Sequence, residues 1–291
     1  MVRIVEEHLA PLLAAGHGDF VTGFSDPVPA RAICEVIGLP PSDSGLLINL
    51  VAGIGALLDG VTHLDGIGRA TAASLDLLIY SQGQIDAASE HPAKKRSGLL
   101  AVLVDGIDTG QLSPDEAMNL LILLINAGTE TTSSLLATSV KTLANNTGLQ
   151  EHLRSNPESI PATIEDLLRE DGPFQFHYRW TTTDALLAEH LIPANSRVLL
   201  MWAAANRSSP DEADKRPTES EGKGLPPHFA FGRGMHFCIG AHLARLEGRI
   251  AIERLLARTA AFTLDPDQPP TLRPSIFLRR HASLPVIVTA L

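Results

Sequence analysis

One stretch of about thirty residues beginning at Ser113 constrains the fold most, because it predicts a single long and largely apolar helix. Residues 113–116 (Ser-Pro-Asp-Glu) combine an N-cap hydroxyl, a proline at the first helical position and a glutamate three residues after the cap. The helical pattern continues to about Ala144, a length of roughly 45 Å at about 1.5 Å per residue. Residues 120–125 are apolar on nearly every side. A helix of this kind needs packing partners all round, so we predict that residues 114–144 cross the centre of the protein.

The rest of the chain predicts a mainly α fold with a small β portion. Helical spacing of apolar residues recurs in five further segments: residues 2–13, 30–37, 46–58, 67–79 and 239–250. Residues 174–198 instead alternate aromatic and β-branched side chains and contain a turn at Asn195, a residue type that tolerates a positive φ. No linker interrupts the pattern, so we expect one domain over residues 1–291.

Composition narrows the classes of function. The 291 residues carry a formal net charge of −10, which argues against a protein that binds nucleic acid through a broad basic surface. Two cysteines, Cys34 and Cys238, cannot build a disulfide framework, and this favours a reducing cytoplasm. Cys34 lies in an apolar run and is expected in the core. The apolar residues 46–58 are too short for a bilayer span, and no signal-peptide pattern opens the chain, so we expect a soluble cytoplasmic protein.

The richest chemistry lies around Cys238, which directly precedes the helical pattern of residues 239–250. The positive end of a helix dipole and its free N–H groups favour the thiolate form of a cysteine there. Glycines at positions 232, 234 and 240 let the backbone turn tightly and let a flat group approach. Arg233 and His236 add donors for anionic groups. A glycine-rich platform with a thiolate and cations suits a large anionic metal cofactor.

Two other interpretations of this segment remain open. Cys238 could be a buried structural cysteine in a protein without enzymatic activity. It could also bind zinc together with His228, His236 and His242, since Cys238 and His242 are four residues apart. A compact tetrahedral zinc site has no use for the glycines or for Phe231, which favours the cofactor platform.

The ten residues 231–240 (FGRGMHFCIG) resemble the haem-binding loop of the cytochrome P450 family, of the soluble bacterial type. The resemblance implies an α-rich P450 fold that binds haem b, with Cys238 as the axial thiolate ligand of the iron. It further implies that Phe231 packs near the ligating sulfur and that His236 approaches a haem propionate. Gly232 and Gly240 complete the expected cofactor-binding residues of this loop.

The long helix contains a second similar segment, residues 127–132 (AGTETT). By itself, this could be a helix kink with a half-exposed glutamate, because glycine and threonine both weaken a helix interior. The segment is similar to the oxygen-binding groove of the P450 family. The resemblance implies that Ala127 and Gly128 make room for oxygen and substrate, and that Glu130 and Thr131 are catalytic residues that relay protons.

Further matches concern the haem environment. Asp166 and Arg169 correspond to the family's Glu-x-x-Arg pair, with aspartate in place of glutamate; an alternative pairing is Glu165 with Arg169. Arg179 matches the position at which the family holds a haem propionate. In the family this pair belongs to a charge triad, and the nearest candidate for its third member is Arg216, in a segment that departs from the family pattern.

The resemblance implies a monooxygenase that inserts one oxygen atom from O2 into a small or medium apolar substrate. Electrons would come from NAD(P)H through a ferredoxin and its reductase. By the same analogy, Leu123, Leu124 and residues 174–177 would contact the substrate. The alternatives are a haem-binding protein without this activity and the non-enzymatic protein described above.

The resemblance begins in the middle of the family's fold, so residues 1–291 correspond to its carboxy-terminal three-quarters. The expected consequence is an open surface through which the chain could self-associate.

Overall fold

The computed structural model describes residues 1–58, 64–92, 96–207 and 228–291. Arg216, the candidate third charge, lies outside the described residues. The described α-helices are α1 (Val2–Ala15), α2 (Pro27–Ile37), α3 (Ser44–Leu58), α4 (Leu64–Ser89), α5 (Gly98–Asp108), α6 (Pro114–Ala144), α7 (Thr147–Ser155), α8 (Ile160–Asp171), α9 (Trp202–Arg207) and α10 (Ala241–Arg258). The described strands are β1 (His17–Asp19), β2 (His177–Trp180), β3 (Ala185–Leu187), β4 (His190–Ile192), β5 (Arg197–Leu200), β6 (Thr259–Leu264), β7 (Thr271–Leu272), β8 (His281–Ser283) and β9 (Pro285–Ala290).

Helix α6 confirms the prediction of a long central helix. The Ser113 hydroxyl accepts a hydrogen bond from the Glu116 N–H at 3.2 Å, and the Glu116 carboxylate accepts one from the Ser113 N–H at 2.8 Å. Helices α2, α3, α4, α5, α7, α8 and α10 all pack against α6. The helix is long and apolar enough to cross a membrane by length and composition, but half of its most apolar window is buried inside the fold. Its central position accounts for its apolar character.

Two buried hydrophobic clusters lie along α6. The amino-terminal half of α6, including Leu121 and Ile125, packs with residues of α2, α3, α4 and α5. The carboxy-terminal half, including Leu136, packs with α1, α8, α10 and the sheet strand that carries Phe262. Cys34 is fully buried in the first cluster, as predicted, and burial raises the pKa of its thiol to about 11.

The β portion is as small as expected but includes two further sheets in the described residues, the three-stranded sheet β1-β9-β6 and the pair β7-β8. Residues 174–198 were predicted as β structure, and they contribute two antiparallel pairs, β2 with β5 and β3 with β4. Asn195 has a φ of 60°, as its turn position predicts. The sequence did not predict the three-stranded sheet β1-β9-β6, in which His17 pairs with Ile287 and Thr263 pairs with Ile287 from the other side.

Candidate functional site

Residues 231–240, here called the cysteine loop, fold into a tight hydrogen-bonded turn before α10. The N–H of Cys238 donates to the carbonyl of Phe231 at 2.9 Å, and that of Phe237 donates to Gly234 at 3.0 Å. Gly232 and Gly234 have φ values of 69° and 74°, a conformation that disfavours side chains. The loop therefore fixes Cys238 two residues before Gly240, the N-cap of α10.

The cysteine loop presents an open apolar surface. Cys238 is exposed, which does not match the interpretation as a buried structural cysteine. Met235 and Ile239 are 94% and 91% exposed, which is unusual for such large apolar side chains. A Cβ atom on Gly240 would lie 3.8 Å from the sulfur of Cys238, so glycine keeps one side of the sulfur clear.

The zinc interpretation finds no support in the described part of the chain. The side chain of His228 is 7% exposed, and its Nε2 lies 3.0 Å from the carboxylate of Glu165, whereas Cys238 and His236 are exposed. Among the described residues, no three His, Cys, Asp or Glu side chains come together in a way that could hold a metal ion. His228, His236, Cys238 and His242 therefore do not form a ligand cluster.

A partly buried ion-pair cluster of Glu165, Arg245 and His228 packs against the cysteine loop. Arg245 on α10 binds the Glu165 carboxylate through two hydrogen bonds of 2.6 and 2.7 Å. Its guanidinium lies over the ring of Phe231, 4.4 Å from the ring centre. Burial raises the pKa of Glu165, but hydrogen bonds and charges from Arg245 and His228 outweigh it and lower the pKa to about 2. Phe231 is thereby held by a cation that is itself anchored to α8.

The same cluster corrects one alternative from the sequence. Glu165 was a candidate partner of Arg169, but it binds Arg245 and His228 instead. Arg169 lies 3.6 Å from Asp166 and 3.4 Å from Glu170. The first contact brings the predicted pair together, although burial still raises the pKa of Asp166 despite the charge of Arg169. The pairing of Glu165 with Arg245 and His228 could not be predicted from the sequence, because both residues are more than sixty positions from Glu165.

Residues 127–132 of α6, here called the groove segment, have one polar side and one side that packs against α2. The Thr131 hydroxyl donates a hydrogen bond to the Ala127 carbonyl of the same helix at 2.7 Å. Ala127 is exposed, and Leu123, one turn earlier, is 60% exposed. A Cβ atom on Gly128 would lie 2.5 Å from the Cδ1 of Ile33 on α2. Its missing side chain makes room for helix packing.

Glu130 lies next to this groove and is bound by an arginine that the sequence analysis did not single out. Arg280, directly before β8, binds the Glu130 carboxylate and also donates to Asp26 at 2.8 Å. Both Arg280 and Asp26 are buried. The one sequence signal for Arg280 is its position between the apolar residues 276–278 and strand β8.

The two expected propionate ligands are accessible. Arg179 is exposed on β2, and its guanidinium donates to the Tyr178 carbonyl at 2.8 Å, which leaves further N–H groups for an anion. His236 is exposed in the short turn of residues 234–236. Both positions are open to carboxylates.

Comparison with known proteins decides the family. The model of the family "Cytochrome P450" matches residues 79–285. The chain belongs to the cytochrome P450 family. It is 34% identical over 273 residues to Cytochrome P450 144 of Mycobacterium tuberculosis, covering 93% of this chain and 61% of the relative. It is 35% identical over 299 residues to Putative cytochrome P450 123 of Mycobacterium bovis, covering 100% and 71%.

Solved P450 structures confirm the fold. The structure of P450BioI in complex with hexadec-9Z-enoic acid ligated acyl carrier protein is 27% identical. It superposes with a TM-score of 0.88, over 99% of this chain and 73% of that chain. The chain thus spans about three-fifths to three-quarters of the length of these P450s.

The residues present fit the haem of this family. The donor set combines one exposed thiol, Cys238, with the accessible side chains of Arg179 and His236, which can donate hydrogen bonds, so the set matches an iron and two carboxylates. The exposed Met235 and Ile239 match the apolar macrocycle between them. Glycine at position 240 leaves the side of the sulfur open.

Proposed function

We propose that this chain is a haem-thiolate monooxygenase that inserts one oxygen atom of O2 into a small or medium apolar substrate, acting as one P450 domain over residues 1–291. The observation that carries the proposal is the exposed thiol of Cys238 on a glycine-rich loop supported by Arg245 and Phe231. In this reaction one C–H bond becomes C–OH, and the second oxygen atom leaves as water after uptake of two electrons and two protons.

Each site residue then has a defined role. Cys238 binds the iron of haem b through its thiolate, and Phe231 shields the sulfur under the Arg245 cation. Arg179 and His236 bind the propionates, and Gly232 shapes the loop. When bound, the haem supplies the redox chemistry that activates dioxygen. Glu130 and Thr131 hold and move protons at the carboxylate and hydroxyl oxygens, beside the exposed face of Ala127.

The partners follow from the need for two electrons. We propose that they come from NAD(P)H through a ferredoxin reductase and a ferredoxin, in the cytoplasm. The substrate would contact Leu123, whose side chain is 60% exposed on the groove face of α6. The P450BioI structure contains a fatty acyl chain on a carrier protein, so carrier-bound acyl chains belong in a substrate screen beside free apolar molecules.

The thiolate is tested by a Cys238→Ser variant of the full chain, reconstituted with haem. The unchanged chain is expected to give the ferrous–carbon monoxide absorption band characteristic of thiolate-bound haem. Cys238→Ser is expected to lose that band and keep its helix content, while a Cys34→Ala control keeps both. The same band in Cys238→Ser would show that another residue binds the iron.

Turnover separates a monooxygenase from a haem-binding protein without that activity. The assay supplies NADPH, a surrogate ferredoxin and reductase, and 7-ethoxycoumarin as an apolar probe whose O-dealkylation gives a fluorescent phenol. Product that depends on all components supports the proposal. A normal thiolate spectrum with NADPH consumption but no product from any substrate in the screen would favour the inactive alternative.

A further inference from the structure

A buried cluster of charges links three distant parts of the chain to the groove segment of α6. Arg280 is 4% exposed and binds two carboxylates, that of Asp26 at the start of α2 and that of Glu130 on α6. The Ser133 hydroxyl, one turn after Glu130, donates to the same oxygen of Asp26. Positions 26, 130 and 280 therefore meet although they are more than one hundred residues apart.

The charges in this cluster depend on one another. A buried guanidinium or carboxylate loses its hydration and is stable only when paired and hydrogen-bonded. Asp26 and Glu130 both bind Arg280, so the removal of Arg280 takes its positive charge away from the buried carboxylate of Asp26 and the partly buried carboxylate of Glu130. The removal of Asp26 instead leaves Arg280 bound to Glu130 alone.

The surroundings also restrict where the Glu130 carboxylate can lie. A Cβ atom on Gly55 of α3 would come within 3.0 Å of one carboxylate oxygen, so α3 closes one side. A cavity of about 10 Å³ lies beside the cluster, lined by Asp26, Thr129, Glu130, Ser133, Arg280 and two apolar residues. That is the room one water molecule needs, and the buried Nε of Arg280 has no partner among the described residues.

We propose that Arg280 and Asp26 are positioning residues for Glu130: Asp26 anchors Arg280, and Arg280 fixes the carboxylate of Glu130 against α3. The cavity holds one water molecule that accepts a hydrogen bond from Arg280. This inference rests on the proposed function for its consequence, since it assigns to the cluster the control of proton delivery. The pairing itself stands on the contacts of Arg280.

The functional test uses Arg280→Met and Arg280→Lys in the haem-loaded full chain, with 7-ethoxycoumarin as the probe. Arg280→Met is expected to lower the product formed per NADPH several-fold and to raise hydrogen peroxide correspondingly, with an unchanged ferrous–carbon monoxide spectrum. Arg280→Lys retains the charge and is expected to recover part of the yield. Asp26→Asn is also expected to lower the product formed per NADPH, but by a smaller factor than Arg280→Met. The ratio per NADPH does not depend on the amount of active protein, so a merely structural role would leave it unchanged.

Arg279→Met is the matched control. Arg279 is the adjacent arginine, its side chain is 38% exposed, and it binds Asp171 at 2.9 Å. Its replacement is expected to leave the product yield and the spectrum unchanged. Equal yields in Arg280→Met and the unchanged chain, with equal spectra, would overturn the positioning role.

A second measurement tests the pairing without any turnover. The midpoint of urea unfolding is compared for Arg280→Met, Glu130→Gln and the double variant. Arg280→Met is expected to unfold at lower urea, and the addition of Glu130→Gln is expected to restore part of the loss, because it removes a carboxylate that has lost the charge of Arg280. Additive effects would overturn the proposed coupling. If the chain lacks the proposed monooxygenase activity, the turnover assay fails for every variant. The urea unfolding midpoints still show whether Arg280 and Glu130 are paired.

Discussion

At the scale of single residues, Glu247 on α10 is the most unusual ionisable group. Its side chain is almost fully buried, and one carboxylate oxygen has no hydrogen-bond partner among the described residues. Burial disfavours the charged form and raises the pKa of Glu247 to about 8. Glu247 is therefore protonated in the folded chain at neutral pH, whereas the same residue in the unfolded chain is ionised.

This difference predicts a loss of stability as pH rises. The folded state binds more protons than the unfolded state between the ordinary glutamate pKa and about 8, so the stabilisation is complete below this window and falls through it. The free energy of unfolding is expected to fall between pH 5 and 9 by about 1.4 kcal/mol per unit of pKa shift at most. Glu247→Gln is expected to flatten this fall in urea unfolding. Glu253→Gln, a more exposed glutamate of the same helix paired with Arg249, is the control and is expected to retain it.

At the scale of elements, the crossing of α2 and α6 depends on the absence of a side chain at Gly128. A Cβ atom there would lie 2.5 Å from Cδ1 and 2.8 Å from Cγ1 of Ile33. Gly128→Ala gains about 1 kcal/mol of helix propensity, while overpacking costs about 1–3 kcal/mol. We expect a lower midpoint of thermal unfolding, recovered in part by adding Ile33→Val, which removes Cδ1.

Gly83 on α4 is the control for this prediction. A Cβ atom at Gly83 meets nothing within 4 Å. Gly83→Ala is expected to raise the unfolding midpoint, because only the propensity gain remains. A destabilisation of the same size at both positions would show that helix crossing is not the reason for the effect at Gly128.

Elements set by local signals could be predicted from the sequence, and elements set by distant pairing could not. The start of α6 follows from residues 113–116 alone, and the β pairs of residues 174–198 lie close together in the chain. In the sheet β1-β9-β6, His17 pairs with Ile287, and a three-residue strand such as β1 is too short to show a recognisable alternation in the sequence.

At the scale of the whole molecule, the same division holds for the site. The cysteine loop is contiguous, so Cys238 and its glycines could be found by inspection. The groups that hold the site come from far apart: Arg245 with Glu165, and Arg280 with Asp26 and Glu130. A charged residue with a buried partner looks like a surface residue in the sequence, because only the fold shows which charges lose their water.

The two cysteines of the molecule differ in exposure, and this difference gives a test of where the haem binds. Cys34 is fully buried with a raised pKa, and Cys238 is exposed. The native haem-free chain is therefore expected to react with a thiol reagent at one fast site, assigned to Cys238 by the loss of that phase in Cys238→Ser. Reconstitution with haem is expected to suppress the fast phase, because a thiolate bound to the iron is not available to the reagent. Both cysteines are expected to react in urea. A fast phase that survives in spectrally haem-loaded protein would place the haem away from the cysteine loop.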